Sequence, residues 1–304
     1  MTACRALNIP IHFDPMKYCQ GPDPETKKPN FTAPPNACDS HCHVFGPAAT
    51  FPFAEGRSYT PPDSPLEAFQ ALQKTLGLER AVIVQATCHG TDNTVTLDAI
   101  ARSDGRYRGV ALVDESFAAD DYKRLHEGGI RGIRFSFARH IGDAPDFSKV
   151  LPLVEAVAPL GWHVVLYMEA PDIVENVKTL EAMPVPVVID HMGRVKTRDG
   201  VEQEAFQLLL GLLREKDDFW MKICGAERIS SAGAPYTDAV PFAQACIEAA
   251  PDRVLWGTDW PHPNIEGVMP NDGDLMNLLA LYAPDEAQRN RILVDNPARL
   301  YGFD

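Results

Sequence analysis

His41 and His43 stand one residue apart in the run Cys38-Asp39-Ser40-His41-Cys42-His43-Val44-Phe45-Gly46-Pro47. On an extended strand side chains alternate between faces, so both imidazoles point the same way. Two imidazoles aimed at one point bind a divalent metal or polarise a carbonyl. The spacing alone decides little, because chance produces His-x-His often. Its weight comes from the rest of the chain. Of nine histidines, His41, His43, His89, His140, His191 and His262 fall at or just after the ends of short apolar segments, whereas His12, His126 and His163 do not and read as structural. Thr87, Arg134, Arg139, Tyr167, Arg228 and Asp259 occupy further segment ends. Each has an ordinary structural use: Asp259 as a helix cap, Thr87 as a turn residue, an arginine as a surface ion pair. Independent structural uses would not concentrate histidine, arginine and aspartate at one set of ends.

The segments that must position these residues are 37–43, 80–86, 107–113, 130–135, 162–168, 185–191, 219–223 and 253–258. They are continuous apolar runs, as expected of strands covered on both faces. Between most of them lie stretches with helical spacing: 65–76, 94–103, 147–158, 173–182, 202–215 and 239–249. Eight strand–helix units predict an α/β chain folded as a single-domain (β/α)8 TIM barrel, in which function sits at the C-terminal strand ends. A doubly wound open sheet is the alternative, and no GxGxxG follows an early strand to support it. Residues 1–36 carry seven prolines and no clear period, which predicts an irregular N-terminal arm before a barrel spanning 37–304.

Composition sets outer limits. The chain has 304 residues, 45% hydrophobic, ample for a large core. A net charge of -14 argues against a nucleic-acid partner, which would require a basic footprint. No apolar run approaches the roughly 20 residues of a membrane span, and no secretory signal is evident. Seven cysteines without a CxxC pair fit free thiols in a reducing cytoplasm. Oligomeric state is not readable.

Taken together, His41-Cys42-His43, Asp190-His191-Met192-Gly193-Arg194 and Trp256-Gly257-Thr258-Asp259-Trp260-Pro261-His262-Pro263 resemble the amidohydrolase superfamily. The runs 84–93, 126–137, 161–167 and 296–301 narrow the resemblance to its 2-pyrone-4,6-dicarboxylate lactonase branch, over roughly residues 34–302. The resemblance implies a distorted barrel that hydrolyses a small anionic lactone in aromatic-compound degradation. It implies Asp259 as general base for water, with His41, His43 and His191 polarising the scissile carbonyl. Thr87, Arg134, Tyr167 and Arg228 would line the pocket and hold substrate carboxylates, with Arg139, His140 and His262 as further substrate contacts. Elementary chemistry agrees: prepositioned donors stabilise an oxyanion, a carboxylate takes the proton of water, and arginine suits a planar carboxylate.

Many amidohydrolases hold one or two divalent metals. This chain keeps the His pair, His191 and Asp259, but has Arg134 and Tyr167 where further ligands would stand. A binuclear centre is therefore not expected. The favoured reading has no metal cofactor; the alternative is one zinc ion on His41, His43, His191 and Asp259. The loop after Arg134 also departs from the branch pattern, with Ser136 in place of an asparagine and His140 in place of an arginine. That keeps 4-sulfomuconolactone hydrolysis open as an alternative, together with zinc-dependent decarboxylation of an aromatic acid. The non-enzyme alternative is a barrel that only binds an anionic metabolite.

Overall fold

Eight short strands run β1 (Cys38–Cys42), β2 (Arg80–Val84), β3 (Tyr107–Ala111), β4 (Ile130–Ser136), β5 (His163–Tyr167), β6 (Val187–Ile189), β7 (Phe219–Lys222) and β8 (Val254–Leu255). All neighbours pair in parallel and in sequence order. The computed structural model describes residues 17–141 and 144–303. Every predicted strand and each of the six helical stretches is present, with strand ends trimmed by up to three residues except in β4, which runs one residue longer. The two longest of the helices outside those stretches are Ala119–Glu127 and Asp272–Tyr282. The first is mostly charged and buries only Tyr122 and Leu125, so its periodicity is faint.

The period of two in each strand divides the core. Val82 and Val84, with Val110, Val165, Val188, Trp220 and Leu255, fill the barrel interior, plugged by Tyr301 and Phe303. Ala81 and Ile83, with Ile133, Val164, Leu166 and Met221, face the surrounding helices. Each fully buried valine or leucine stabilises the fold by about 1.5–3 kcal/mol. The same alternation sends Arg134, Tyr167 and Lys222 inward, because their neighbours Ile133, Leu166 and Met221 face out.

Strand β1 breaks the alternation. Cys38 belongs to the interior cluster but Cys42, four residues on, belongs to the outer one. The reversal is a register shift between Asp39 and Cys42. Such a bulge re-aims the side chains that follow it. Here it turns His41 and His43 inward. The buried Asp39 carboxylate fixes the irregularity, accepting from His41 N at 3.1 Å, Thr258 N at 3.0 Å and Thr258 Oγ1 at 2.6 Å.

The same place closes the barrel. Strand β8 is only two residues long, and the chain beyond it bonds to β1 through Ser40 N→Trp256 O (2.9 Å), Asp259 N→His41 O (2.7 Å) and His43 N→Trp260 O (2.8 Å). These bonds replace a regular ladder, which is why the predicted eighth strand stops short. Of the predicted arm, residues 1–16, His12 among them, lie outside the described residues. From there Lys17–Tyr18 pairs with Tyr59–Thr60, and the backbone of Lys27 and Asn30 donates to Asn271 and Asn277 beside helix Asp272–Tyr282. No described helix is long and apolar enough to cross a membrane.

At the closing seam a Cβ on Gly257 would stand 2.4 Å from His41 N and 2.7 Å from Asp39 Oδ1. Gly257→Ala is expected to lose about 1–3 kcal/mol of stability, the usual cost of overpacking. Urea unfolding checks this; an unchanged midpoint would show that the seam tolerates a side chain.

Candidate active site

Asp259 sits at the mouth of the closing seam in the left-handed backbone region, with φ of 64°. A non-glycine residue held there costs on the order of 1–3 kcal/mol and persists only where its surroundings fix it. Two bonds do so, Asp259 N→His41 O at 2.7 Å and His262 N→Asp259 O at 2.8 Å. The turn aims the carboxylate across the barrel. Its Oδ1 lies 3.4 Å from His41 Nε2, 3.4 Å from His43 Nε2 and 3.9 Å from His191 Nε2. Its Oδ2 accepts from Arg228 Nε at 2.5 Å. Burial alone would push the Asp259 carboxyl up. The Arg228 guanidinium and the three histidines outweigh burial and hold it well below the usual carboxylate range. Asp259 is thus a carboxylate throughout the neutral range.

His191 also has positive φ, 51°, after strand β6. It fits because Gly225 has no side chain: a Cβ there would meet His191 Nδ1 at 2.7 Å. His43 donates Nδ1–H to Val84 O at 2.7 Å, which orients the ring and turns Nε2 toward Asp259. Burial keeps the His191 imidazole neutral, and burial together with the adjacent Lys222 ammonium lowers His41 to about 3.

Beneath this group lies a second carboxylate, Asp190, fully buried. Arg134 Nε donates to its Oδ2 at 2.8 Å, and Lys222 Nζ lies 3.2 Å from its Oδ1. Lys222 Nζ is also 3.0 Å from His41 Nδ1. Burial would raise the Asp190 carboxyl, but Lys222, His41 and Arg134 hold it well below its ordinary range.

Above Asp259 is a tight recess of about 20 Å³, room for one water, whose walls include His43, Thr87, Arg134, Tyr167 and His191. His140, Arg228 and Asn264 line both this recess and an outer basin of about 710 Å³ that adds Lys17, Arg194 and Glu227. The basin mixes charges: Lys17, Arg194 and Arg228 stand among Glu169, Glu227 and Glu266, whereas the recess itself has Arg134 and Arg228 beside Asp259. Of the residues expected at the site, Thr87, Arg134, Tyr167, His140, Arg228, His43, His191 and Asp259 therefore converge. His41 lies below the recess wall, wholly buried. Arg139 does not reach the site: its side chain is 73% exposed and approaches only Asp172, at 3.9 Å. His262 does not face the recess either. It is buried behind Asp259, 3.0 Å from Asp272 and 3.8 Å from Glu227.

Three residues carry weight that the sequence reading did not give them. Arg194 bonds the Tyr167 hydroxyl and approaches His140 Nε2 at 3.3 Å, placing a guanidinium beside the position where an arginine is absent. His140 itself is lowered to about 4 by burial and by Arg194 and Arg228, so it is neutral. Lys222 and Asp190 form the buried pair beneath. Arg194 and Asp190 belong to the Asp-His-Met-Gly-Arg run and Lys222 ends an apolar strand, so the signal was present as ionisable residues at strand ends.

The alternative metal set is also testable by spacing. One ligand atom each from His41, His191 and Asp259 lie within 4.8 Å of one another, close enough for a single ion.

Fold and site together define a class. The Amidohydrolase family model matches residues 38–303, and the chain belongs to that family. Among curated relatives it is 45% identical to a 2-pyrone-4,6-dicarboxylate hydrolase of Comamonas testosteroni over 282 residues, 90% of this chain and 92% of that protein. It is 47% identical to a 4-sulfomuconolactone hydrolase of Rhizobium radiobacter over 288 residues, 93% of this chain and 96% of that one. A solved structure of a probable 2-pyrone-4,6-dicarboxylic acid hydrolase from Acinetobacter baumannii, with citric acid bound, superposes with a TM-score of 0.77 at 27% identity, covering 88% of this chain and 100% of that one.

The buried His262 gives a pH prediction. Burial disfavours its charge, but Asp272 and Glu227 on either side outweigh burial and raise the imidazole to about 10. A histidine raised on folding contributes stability that is complete below its unfolded value of about 6.5 and is lost as pH rises through the folded value. Wild-type protein is therefore expected to lose stability between about pH 6.5 and 10. His262→Gln should flatten that slope in urea melts taken across the range. An identical slope in the variant would show that His262 is not the titrating group.

Proposed function

We propose that this chain hydrolyses a small lactone bearing anionic substituents, using water as nucleophile and Asp259 as base. The observation that carries the reading is the Asp259 carboxylate, ionised and ringed by three imidazoles, in a recess walled by Arg134 and Arg228. The relatives named for 2-pyrone-4,6-dicarboxylate and 4-sulfomuconolactone hydrolysis support it. Free thiols at all six described cysteines support a reducing, cytoplasmic location.

The chemistry follows from the placement. Water attacks the lactone carbonyl carbon while Asp259 Oδ1 takes its proton. The acyl carbon–ring oxygen bond then breaks, and the ring oxygen leaves with a proton returned from Asp259. The carbonyl oxygen gains charge during attack, and imidazole N–H donors beside Asp259 stabilise it; one such donor is worth about 3 kcal/mol in comparable sites. His43 spends its Nδ1 proton on Val84 O, which holds the ring with Nε2 beside Asp259 and the reacting centre. Arg228 keeps Asp259 ionised and closes one side of it. Arg194 and Arg134 supply positive charge for the substituents.

The donor set favours this reading over a zinc site. The Nδ1 of His41 faces the Lys222 ammonium, which leaves the ring proton on Nε2, where a metal would need a lone pair. Arg134 adds a second cation within the same cluster. The same argument weighs against zinc-dependent decarboxylation. The carboxylate beside the anion pocket weighs against a mere anion binder. Among lactones, 2-pyrone-4,6-dicarboxylate is the first choice; the neutral His140 in place of an arginine keeps the sulfonated lactone as the second reading.

Spectrophotometric hydrolysis of the two lactones side by side tests the proposal, and turnover of neither would overturn it. Asp259→Asn is expected to lower kcat by about 10²–10⁴-fold while binding is retained; unchanged turnover would remove Asp259 as base. Arg194→Met is expected to raise KM for either lactone with kcat close to wild type. A wild-type KM would show that Arg194 does not meet the substrate.

A further inference from the structure

Lys222 is a fully buried lysine at the end of β7, and the lactone reaction itself gives it no part. Its Nζ lies within hydrogen-bond distance of His41 Nδ1, at 3.0 Å. Asp190 Oδ1 is 3.2 Å from that same ring nitrogen and 3.2 Å from Lys222 Nζ, so the ammonium is the nearer of the ring nitrogen's two polar neighbours. On the far side of the ring, His41 Nε2 is buried, has no partner and stands 3.4 Å from Asp259 Oδ1.

A neutral imidazole has one N–H and one lone pair, and the partner of one nitrogen fixes the role of the other. An ammonium can only donate. We propose that Lys222 is a positioning residue: held by Asp190, it occupies the Nδ1 lone pair of His41 and so places the ring's single proton on Nε2, facing Asp259 and the reacting centre. This deepens the metal-independent reading above and rests on it. In the opposite tautomer, Nδ1–H would point at an ammonium, and an Nε2 lone pair would face the Asp259 carboxylate at 3.4 Å. Both contacts are repulsive, and the second invites a cation between the two groups. Lys222 therefore makes His41 a hydrogen-bond donor and withdraws it from metal ligation.

Removing the ammonium frees the ring to reverse. In Lys222→Met, Arg134 still pairs with Asp190, whose Oδ1 becomes free to accept an Nδ1–H from a slightly rotated His41. The Nε2 lone pair then joins His191 and Asp259, whose ligand atoms already lie within 4.8 Å of it.

The test is the ring nitrogen spectrum of ¹⁵N-histidine-labelled protein, with His41 assigned by comparison with His41→Gln. It needs no substrate, so it stands whether or not either lactone is turned over. The wild type is expected to show the Nε2–H tautomer for His41. Lys222→Met is expected to show the Nδ1–H form, to take up zinc that the wild type does not, and to lose about 10–100-fold in kcat, the usual scale for partners of a reacting group's ligands, with KM little changed. A wild-type His41 in the Nδ1–H form would overturn the proposal without any variant. So would a folded Lys222→Met with wild-type tautomer, zinc content and kcat.

Discussion

The Asp190 carboxylate is the interaction on which the site depends. It is fully buried, and it joins Arg134 from β4, Lys222 from β7 and His41 from β1. Removing ions from water costs several kcal/mol each, and a buried carboxylate is tolerable only when its partners are in place. Deleting one partner from such a cluster typically costs about 3–5 kcal/mol. The cluster therefore fixes the relative positions of four strands at the end where chemistry happens. Below it the interior is mainly apolar, with Val82, Val84, Val110, Val165 and Val188, and with His163 packed edge-on against Tyr301. Above it stands Asp259. The barrel changes from packing to catalysis at this layer.

The closing seam is the second constraint. Strands β1 and β8 do not meet as a ladder; Asp39 and Thr258 bridge them instead, and Gly257 lets the backbones approach. The bulge that results turns His41 and His43 inward, and the chain leaving β8 delivers Asp259 to them. One irregularity thus closes the barrel and brings Asp259 together with His41 and His43. A regular strand at β1 that kept Cys38 inside would have sent both histidines outward.

The strands were legible because continuous valine and isoleucine runs between helical stretches admit few folds. The convergence of His43, His191, Asp259, Arg134, Tyr167 and Thr87 was legible from their position at strand ends. What the chain did not reveal was partner choice. Arg228 read as a substrate contact, yet its Nε bonds Asp259, because the loop after β7 brings it beside the residue following β8. Arg139 and His140 are adjacent in sequence, and only the fold shows that one faces solvent and the other the basin. His262 lies three residues from Asp259, but a tight turn points it away toward Asp272. Lys222 was visible as a strand end and carried no motif, so nothing local tied it to His41.

The proposed mechanism has a carboxylate base and imidazole donors, with its cations supplied by side chains. The most direct measurement is lactone turnover by the purified protein before and after exhaustive chelation, with metal content determined on the same samples. Full turnover with substoichiometric metal is the predicted result. Turnover that disappears on chelation and returns in proportion to added zinc would contradict it.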